Sequence, residues 1–492
     1  MEQVYEILLS NKPPLPLIII LITILIILFS TIYILKKQNK KQSNKNRASS
    51  FPLPPGPWKL PIIGNIHQLA FSSALIHRRL AELAEQYGPV MQLKLGETSN
   101  VVLSSPEAAT EYLRTSDGEH WRRMRKLLAM ELLSEKRVKS LRPIRDEEIG
   151  KLVKLIGGEP AGGAVNLHQL LVAVGNAMTS RTAFGKVREL ESSFLPVARQ
   201  ILRAVGGFNI GDIFPSNRLL LIISGAERRL KKIHQEADVI LQGLIDEHVS
   251  RRRRETEYSD TAEADDDEDL VDMLLAYTNY NHVEVKAIIM VRICDIFVAG
   301  GDTSPLTVEW VMSELMRNPE KMVKVQRERG KVVDEACIDE LQYLKSVVKE
   351  TFRLHPLAPL SVPKEGREAV VIDGYQIPTK TRVIVNYWAI ARDSSHWTNP
   401  DQFIPERFLD TYIDYKGFDS HLFPFGGGRR VCPGMDYGIA VVYALLMNLL
   451  YHFDWKLPNQ LKPRDLDMSE DFGVTVSRKN NLYLIPIPYH GP

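Results

Sequence analysis

An uncharged apolar run near the amino end limits how this chain can fold more than any other feature. Residues 17–35, LIIILITILIILFSTIYIL, are 19 consecutive residues without a charge. As a helix rising 1.5 Å per residue, the run spans about 28 Å, close to the hydrocarbon thickness of a bilayer. A cleaved signal peptide has a shorter apolar region and a small-residue cleavage site, and neither condition fits here. We therefore predict a single transmembrane helix.

The residues after this run predict its orientation. Residues 36–47 contain six lysines and arginines and no acidic residue, which marks the cytosolic side of a membrane span. A merely solvated linker is compatible with the same charges. Residues 51–65, FPLPPGPWKLPIIGN, are too rich in proline for a helix and predict a stiff, extended spacer. We expect an anchor over 1–35, a linker over 36–57 and a cytosolic body over 58–492.

Charge and cysteine content exclude several classes of protein. A net charge of +2 gives no reason to expect nucleic acid as a partner. The three cysteines, Cys294, Cys337 and Cys432, are too few and too far apart for a disulfide framework, which suits a reducing compartment. Because the sequence has no CxxC pair and no clustered histidines and cysteines, a zinc or iron–sulfur site is not expected.

Hydrophobic periodicity predicts a mainly α body with small β-sheets, an α+β fold. Several long segments carry apolar residues at helical spacing; they are 219–249, 285–317, 340–354 and 434–452. Fewer segments predict β-structure; they are 90–106, 372–390 and 480–488. Residues 251–269 are a basic block followed by an acidic block, which predicts a solvated connection between helices.

The most elaborate local pattern is the cysteine loop, residues 423–434, FPFGGGRRVCPG. Cys432 lies just before Gly434, where an apolar helical pattern begins, so the positive end of that helix would favour a thiolate. Arg429 and Arg430 would act in the same direction. The glycines at 426–428 let the backbone curl tightly around something bulky or around the sulfur itself. A buried structural cysteine, the ordinary alternative, would need neither the arginines nor the glycines.

These residues resemble the haem-binding loop of cytochrome P450 monooxygenases. The pattern F-x-x-G-x-R-x-C-x-G is matched by one residue at each fixed position, namely Phe425, Gly428, Arg430, Cys432 and Gly434. The resemblance implies a P450 fold and haem b as the cofactor. It also implies that the Cys432 thiolate is the axial ligand of the haem iron, a ligand that favours O–O bond cleavage.

A second motif agrees with the first. Glu350 and Arg353 in KETFRLHP are three residues apart on one helix face, and alone they would be an ordinary surface ion pair. Followed by PERF (405–408), they resemble the family's E-x-x-R motif and arginine, with Arg407 as the third member. The resemblance implies a buried structural triad beneath the cysteine loop.

Two further motifs resemble the parts of the family that surround the haem. AGGDTS (299–304) lies within the predicted 285–317 helix, and the resemblance implies that Asp302 and Thr303 supply protons for O–O cleavage. HWRRMRK (120–126) matches W-x-x-x-R, which implies that Trp121 and Arg125 meet a haem propionate. Lys364 stands where many relatives have a propionate-binding arginine; it keeps the charge but loses the bidentate fork.

The resemblance runs from the anchor to the carboxyl end and is greatest for the plant branch that oxidises terpenoids, phenolics and alkaloids. It implies an endoplasmic-reticulum enzyme that takes electrons from NADPH through a flavin-containing reductase. The basic residues around 122–126 could dock that acidic reductase, or could be an ordinary basic helix face. The resemblance and the need for an apolar lining assign seven residues to the substrate pocket; these are Ile296, Ala299, Gly300, Leu360, Val362, Phe472 and Val474.

The chain departs from the family pattern most clearly between Asp117 and Gly118. About thirty residues that form a loop over the haem are missing there, more than ordinary loop variation. This suggests a splice form, a truncated allele or a gene-model error with a damaged pocket. Pro305, where relatives have a small polar residue, removes a helical N–H and should widen the kink near Gly301. Two alternatives to a monooxygenase stay open, a haem-thiolate isomerase or dehydratase and an inactive haem-binding membrane protein.

Overall fold

The computed structural model describes most of the body of the chain. The described residues are 51–70, 72, 74–114, 125–126, 133–185, 194–198, 200–201, 210–258, 269–277, 282–330, 335–416 and 421–489. The apolar run at 17–35, predicted to span a membrane, lies outside them. Within the described ranges, no helix is both long enough and apolar enough to cross a bilayer.

Helices dominate the described residues. Those of the first half are α1 Ile66–Ala70, α2 Ile76–Tyr87, α3 Pro106–Leu113, α4 Glu135–Ser140, α5 Arg142–Gly157, α6 Leu167–Phe184, α7 Ile210–Ile213, α8 Arg218–Ile223 and α9 Ala226–Tyr258. Those of the second half are α10 Leu270–Tyr277, α11 His282–Arg317, α12 Pro319–Gln326, α13 Gln342–Leu354, α14 Tyr387–Ile390 and α15 Met435–His452. Short 3₁₀ turns include Pro405–Phe408 and Gly428–Arg430.

The strands are short and form small sheets, as the sequence predicted. They are β1 Val90–Leu95, β2 Thr98–Leu103, β3 Val165–Asn166, β4 Lys364–Glu365, β5 Val370–Ile372, β6 Tyr375–Ile377, β7 Arg382–Val385, β8 Phe453–Lys456, β9 Glu470–Phe472, β10 Val476–Arg478 and β11 Tyr483–Pro488. The largest sheet has the order β1-β2-β7-β4, with β2 and β7 parallel. β3, β11 and β8 form a second sheet, while β5–β6 and β9–β10 are separate hairpins.

The main core lies where α6 and α15 pack against the second half of α11. From Ser304 to Met316 every residue of α11 is buried, and α15 buries a continuous stretch from Val441 to Met447. Apolar residues all around α15 match its interior position, because a helix that is buried on several sides needs no polar face. The large core fixes the middle of α11 relative to the start of α15, which is where the cysteine loop ends.

The prediction of a solvated connection at 251–269 is wrong at both ends. α9 continues through the basic block to Tyr258, and the side chain of Arg251 pairs with Asp269 and Asp272. Asp269 is buried and accepts hydrogen bonds from the Val271 and Asp272 backbone N–H groups at the start of α10. Charge patterning misled the prediction because an acidic residue that begins a helix looks the same in sequence as a solvated one.

Candidate active site

The cysteine loop is closed by backbone hydrogen bonds. The Cys432 N–H donates to the Phe425 carbonyl at 2.8 Å, and the Gly426 N–H donates to the Phe423 carbonyl at 3.1 Å. Gly426 and Gly428 have φ values of 71° and 63°, in the left-handed region that glycine adopts without strain. The loop therefore presents Cys432 three residues before Met435, the first residue of α15, with Gly434 as the N-cap.

The glycines of the loop serve its packing as well as its curvature. A Cβ atom on Gly428 would lie 2.2 Å from the carbonyl oxygen of Leu113, the last residue of α3. At Gly434, by contrast, the nearest contact of a Cβ atom would be the Cys432 sulfur, at 4.0 Å. The cysteine loop thus lies directly on the end of α3, a few residues before the junction where the sequence predicts a missing segment.

Burial of Cys432 opposes the thiolate that the helix start and the neighbouring arginines favour. Burial raises the pKa of the Cys432 thiol, and the Gly434 N–H and the Arg125 guanidinium only partly offset this effect. Arg429 and Arg430, which the sequence placed beside the thiol, are exposed. A metal ion deprotonates the thiol that coordinates it. A raised pKa of Cys432 without the haem is therefore compatible with Cys432 as a ligand of haem iron.

Glu350 lies between the two arginines that the sequence grouped with it. Its carboxylate makes two hydrogen bonds with Arg353, at 2.8 and 2.9 Å, and one with Arg407 Nε at 3.1 Å. Glu350 and Arg353 are completely buried. A buried, bidentate arginine–carboxylate pair is far more sensitive to loss of one partner than a surface pair with the same spacing.

Arg353 also holds the chain segment that leads towards the cysteine loop. Its guanidinium donates to the carbonyls of Ala391, Pro400 and Gln402 at 2.8, 2.6 and 3.1 Å. The Trp397 ring lies 5.3 Å from this guanidinium and 5.9 Å from that of Arg407. The arrangement fixes residues 391–407 against α13, and it satisfies donors that would otherwise be buried without partners.

α11 brings the predicted proton-relay residues to the same place as the cysteine loop. The Ser304 hydroxyl donates to the carbonyl of Gly438, on the first turns of α15, at 3.3 Å. Asp302 and Thr303, immediately before Ser304, remain half-buried, whereas every residue of α11 from Ser304 to Met316 is buried. The Thr303 hydroxyl donates to the Ala299 carbonyl at 2.6 Å. Polar groups on α11 therefore lie beside partly open space near the start of α15.

α11 remains helical through Pro305, and a glycine on α6 accommodates that proline. A Cβ atom on Gly175 would lie 2.3 Å from the Pro305 ring and 2.6 Å from the Gly301 carbonyl. Because proline cannot donate a hydrogen bond to the residue four before it, the Gly301 carbonyl lacks its usual helical partner. Sequence reasoning missed Gly175, since nothing local links it to a residue 130 positions later.

The residues predicted to meet haem propionates are only partly described. Trp121 lies outside the described residues. Arg125 is half-buried, and its charge acts on the Cys432 thiol. Lys364 is half-buried in β4, where its carbonyl accepts a 3.5 Å hydrogen bond from the Tyr112 hydroxyl, and Arg430 is exposed.

The segments assigned to the substrate pocket are joined by two hydrogen bonds. The Val476 N–H donates to the Leu357 carbonyl at 2.8 Å, and Trp310 Nε1 of α11 donates to the Val476 carbonyl at 3.4 Å. These bonds link α11, the segment leading to Leu360 and Val362, and the β9–β10 hairpin. Ala299 and Val362 are exposed, and the other described members of the set are half-buried. The side chain of Ile296 lies outside the described residues.

Comparison with known proteins decides the family. The sequence model described as Cytochrome P450 matches residues 54–117 and 113–485. The chain belongs to the cytochrome P450 family. This P450 matches its family in two segments that overlap at residues 113–117, next to the junction where the sequence predicts a missing loop.

Relatives of this P450 include plant proteins of similar length. The chain is 44% identical to Cytochrome P450 71D8 of Glycine max over 90% of this chain and 94% of that protein. It is 40% identical to premnaspirodiene oxygenase of Hyoscyamus muticus, over 94% of this chain and 96% of that protein. A zebrafish cytochrome P450 solved with progesterone has a TM-score of 0.67 at 22% identity. The structural alignment covers 85% of this chain and 100% of the zebrafish chain. This likeness shows the P450 fold.

Haem b is the cofactor of this P450 monooxygenase family, and the described residues fit it. Cys432 provides a thiol donor. Because residue 434 is a glycine, no side chain at that position lies against the sulfur. Asp302 and Thr303 of α11 are half-buried, so they are not fully enclosed by the protein core. Arg125 provides a cation close to the sulfur, as a propionate-bearing ring would need.

Proposed function

We propose that this P450 inserts one oxygen atom from O₂ into an apolar plant specialised metabolite, with terpenoids as the first class to test and phenolics or alkaloids as the next. Electrons come from NADPH through a flavoprotein reductase. The enzyme is anchored in the endoplasmic-reticulum membrane by residues 17–35, with its body in the cytosol. The relative named as an oxygenase of premnaspirodiene supports oxidation of a diene.

One contact carries the proposal. The 3.3 Å hydrogen bond from Ser304 to Gly438 joins the helix that bears Asp302 and Thr303 to the helix that follows Cys432. Haem held by Cys432 supplies the oxidising chemistry, while an acid and an alcohol beside it move protons without admitting bulk water. This pairing disfavours a haem-thiolate isomerase or dehydratase, which would use no O₂ and would need no such relay.

Two measurements test the proposal. The chain is expressed and reduced, and carbon monoxide is added; a red-shifted Soret band then shows thiolate-ligated haem. The loaded protein is next incubated with NADPH, the reductase and a panel of terpenoids, followed by phenolics and alkaloids. Oxygenated product that depends on both reductase and NADPH supports the proposal, whereas products formed equally well without O₂ would contradict it.

Replacing Thr303 with alanine is expected to uncouple the reaction. General acid catalysis contributes about 10²–10⁴-fold, and water can replace part of it, so product formed per NADPH oxidised should fall about tenfold while hydrogen peroxide rises. The measurement is product, peroxide and NADPH in the same incubation. Thr303→Ser should retain coupling because it keeps the hydroxyl.

Thr307→Ala is the matched control for that substitution. Thr307 lies one turn further along α11 and makes the same kind of bond, from its hydroxyl to the Thr303 carbonyl at 3.0 Å. Thr307 is buried, so the control reports on helix distortion alone. Equal uncoupling in both alanine variants would show that Thr303 has no separate part in proton delivery.

A second candidate function is an inactive haem-binding membrane protein, and the division of the family match at residues 113–117 favours it. If the junction is genuine, trypsin should release the peptide TSDGEHWR, residues 115–122, from the native protein. Detection of that peptide by mass spectrometry supports an isoform that is translated. Transcripts that encode an additional segment at this point, without the short peptide, support a gene-model error.

Restoring the segment separates the two functions. We expect insertion of the corresponding loop of Cytochrome P450 71D8 after Asp117 to leave the carbon monoxide band unchanged, because Cys432 and the triad are the same in both chains. Turnover of the substrate panel should appear or increase, since the loop closes one wall of the pocket. Turnover that is above background and equal in the short and restored chains would rule out the inactive candidate.

A further inference from the structure

A buried carboxylate lies at the base of the hairpin that carries two predicted pocket residues. Glu470 is the first residue of β9 and Phe472 is the last, while Val474 lies in the turn between β9 and β10. The Glu470 side chain is 4% exposed, and its Oε2 lies 2.8 Å from Arg78 NH2 and 3.4 Å from His77 Nε2. Both partners are in α2, nearly 400 residues earlier in the chain.

His77 connects this carboxylate to both loop segments of the proposed pocket. Its ring is fully buried, with its centroid 5.6 Å from that of Phe472. Its backbone carbonyl accepts a 2.9 Å hydrogen bond from Asn386 Nδ2, and Asn386 forms a β-bridge with Leu360. One residue of α2 therefore contacts the hairpin and, through Asn386, the segment 360–362.

The charges around Glu470 hold it ionised. Burial alone would raise its pKa, but the contacts with His77 and Arg78 outweigh burial and lower the pKa of Glu470 to about 2. Arg78 also lies over the Trp388 ring, 5.4 Å from its centroid, and the His77 ring lies 5.4 Å from the same ring on another side. Removing the negative charge would leave the Arg78 guanidinium without its anionic partner and the buried His77 ring without the anion beside it.

We propose that Glu470 is a positioning residue, which fixes the β9–β10 turn against α2 and thereby determines how a bulky ligand fits beside the haem. The inference rests on the proposed function, since it concerns the same pocket. Phe472 is held by His77 on one side, while the hairpin is tied to α11 through Val476 and Trp310 on the other. Loss of the Glu470 charge weakens the attachment of the hairpin to α2 and leaves its attachment to α11 unchanged.

Amide hydrogen exchange tests the attachment without any ligand. Glu470→Gln keeps the size of the side chain and removes its charge, and we expect exchange in residues 470–478 to become about tenfold faster. Asp471→Asn is the matched control, because Asp471 is the next residue of β9 and is exposed. If Glu470→Gln does not fold, Arg78→Gln is the second variant. It removes the arginine that pairs with Glu470, and this arginine side chain is 44% exposed. Unchanged exchange in the folded variant would overturn the proposal.

Two azoles of different size test the effect on the pocket. Imidazole binds iron and needs little room, whereas clotrimazole must fit beside the hairpin. We expect Glu470→Gln to weaken clotrimazole about tenfold, as measured by spectral titration, and to leave imidazole and the carbon monoxide band unchanged. Equal weakening of both azoles, or of neither, would contradict the proposal. If the wild-type chain shows no thiolate band, the proposed function fails, and hydrogen exchange still decides whether Glu470 holds the hairpin.

Discussion

Replacement of Cys432 by alanine is expected to abolish the red-shifted Soret band of the reduced, carbon monoxide-treated protein and to reduce turnover to background. The sulfur is the donor that the cysteine loop presents at the start of α15, and a methyl group cannot coordinate iron. The loop itself should persist, because its closing hydrogen bonds use the backbone of Phe425 and Cys432. Haem content, the carbon monoxide spectrum and thermal unfolding should be measured on the same preparation.

The chain offers matched controls for this substitution. Cys294→Ala and Cys337→Ala each remove one of the other two sulfurs, and both should retain the thiolate band. Cys432→Ser should lose the band while keeping a side chain of similar size. A thiolate band in Cys432→Ala would show that another group binds the iron, and the ligand assignment would then be wrong.

The chemistry of the thiol itself was not predictable from sequence. The helix that follows Cys432 and the neighbouring arginines both indicate a thiolate, and both are local features. The raised pKa of Cys432 comes from burial, which depends on how the whole fold packs around the loop and not on the residues beside the cysteine in sequence. The same limit applies to Gly428, whose contact with Leu113 joins residues 315 positions apart.

Local signals, by contrast, predicted elements well. The periodicity over 434–452 gave α15 at Met435–His452, and the alternation over 90–106 gave the β1–β2 hairpin. The three-residue spacing of Glu350 and Arg353 placed both side chains on one face of α13. That spacing could not show that the pair is buried or that Arg407 completes it, and only the resemblance supplied those expectations.

Replacement of Arg353 by methionine is expected to lower the free energy of unfolding by about 3–5 kcal/mol, because it strands the buried Glu350 carboxylate. The substitution also removes the donors to the carbonyls of Ala391, Pro400 and Gln402. Since residues 391–407 lead towards the cysteine loop, haem incorporation should fall together with stability. Denaturant unfolding and the haem content of the purified protein measure the two effects.

A surface pair with the same spacing provides the control. Arg79 and Glu82 are three residues apart on α2, with a 2.7 Å contact and side chains that are 28% and 50% exposed. Arg79→Met should change the free energy of unfolding by about 0.5 kcal/mol and leave haem content unchanged.

A double substitution distinguishes a stranded charge from lost carbonyl donors. In Glu350→Gln/Arg353→Met the buried charges of both partners are gone, so part of the lost stability should return if the stranded carboxylate dominates. If the double variant is no more stable than Arg353→Met, the bonds to residues 391–402 account for most of the effect. A loss no greater than that of Arg79→Met would mean that Glu350, Arg353 and Arg407 do not brace the site, and the structural part assigned to the triad would be wrong.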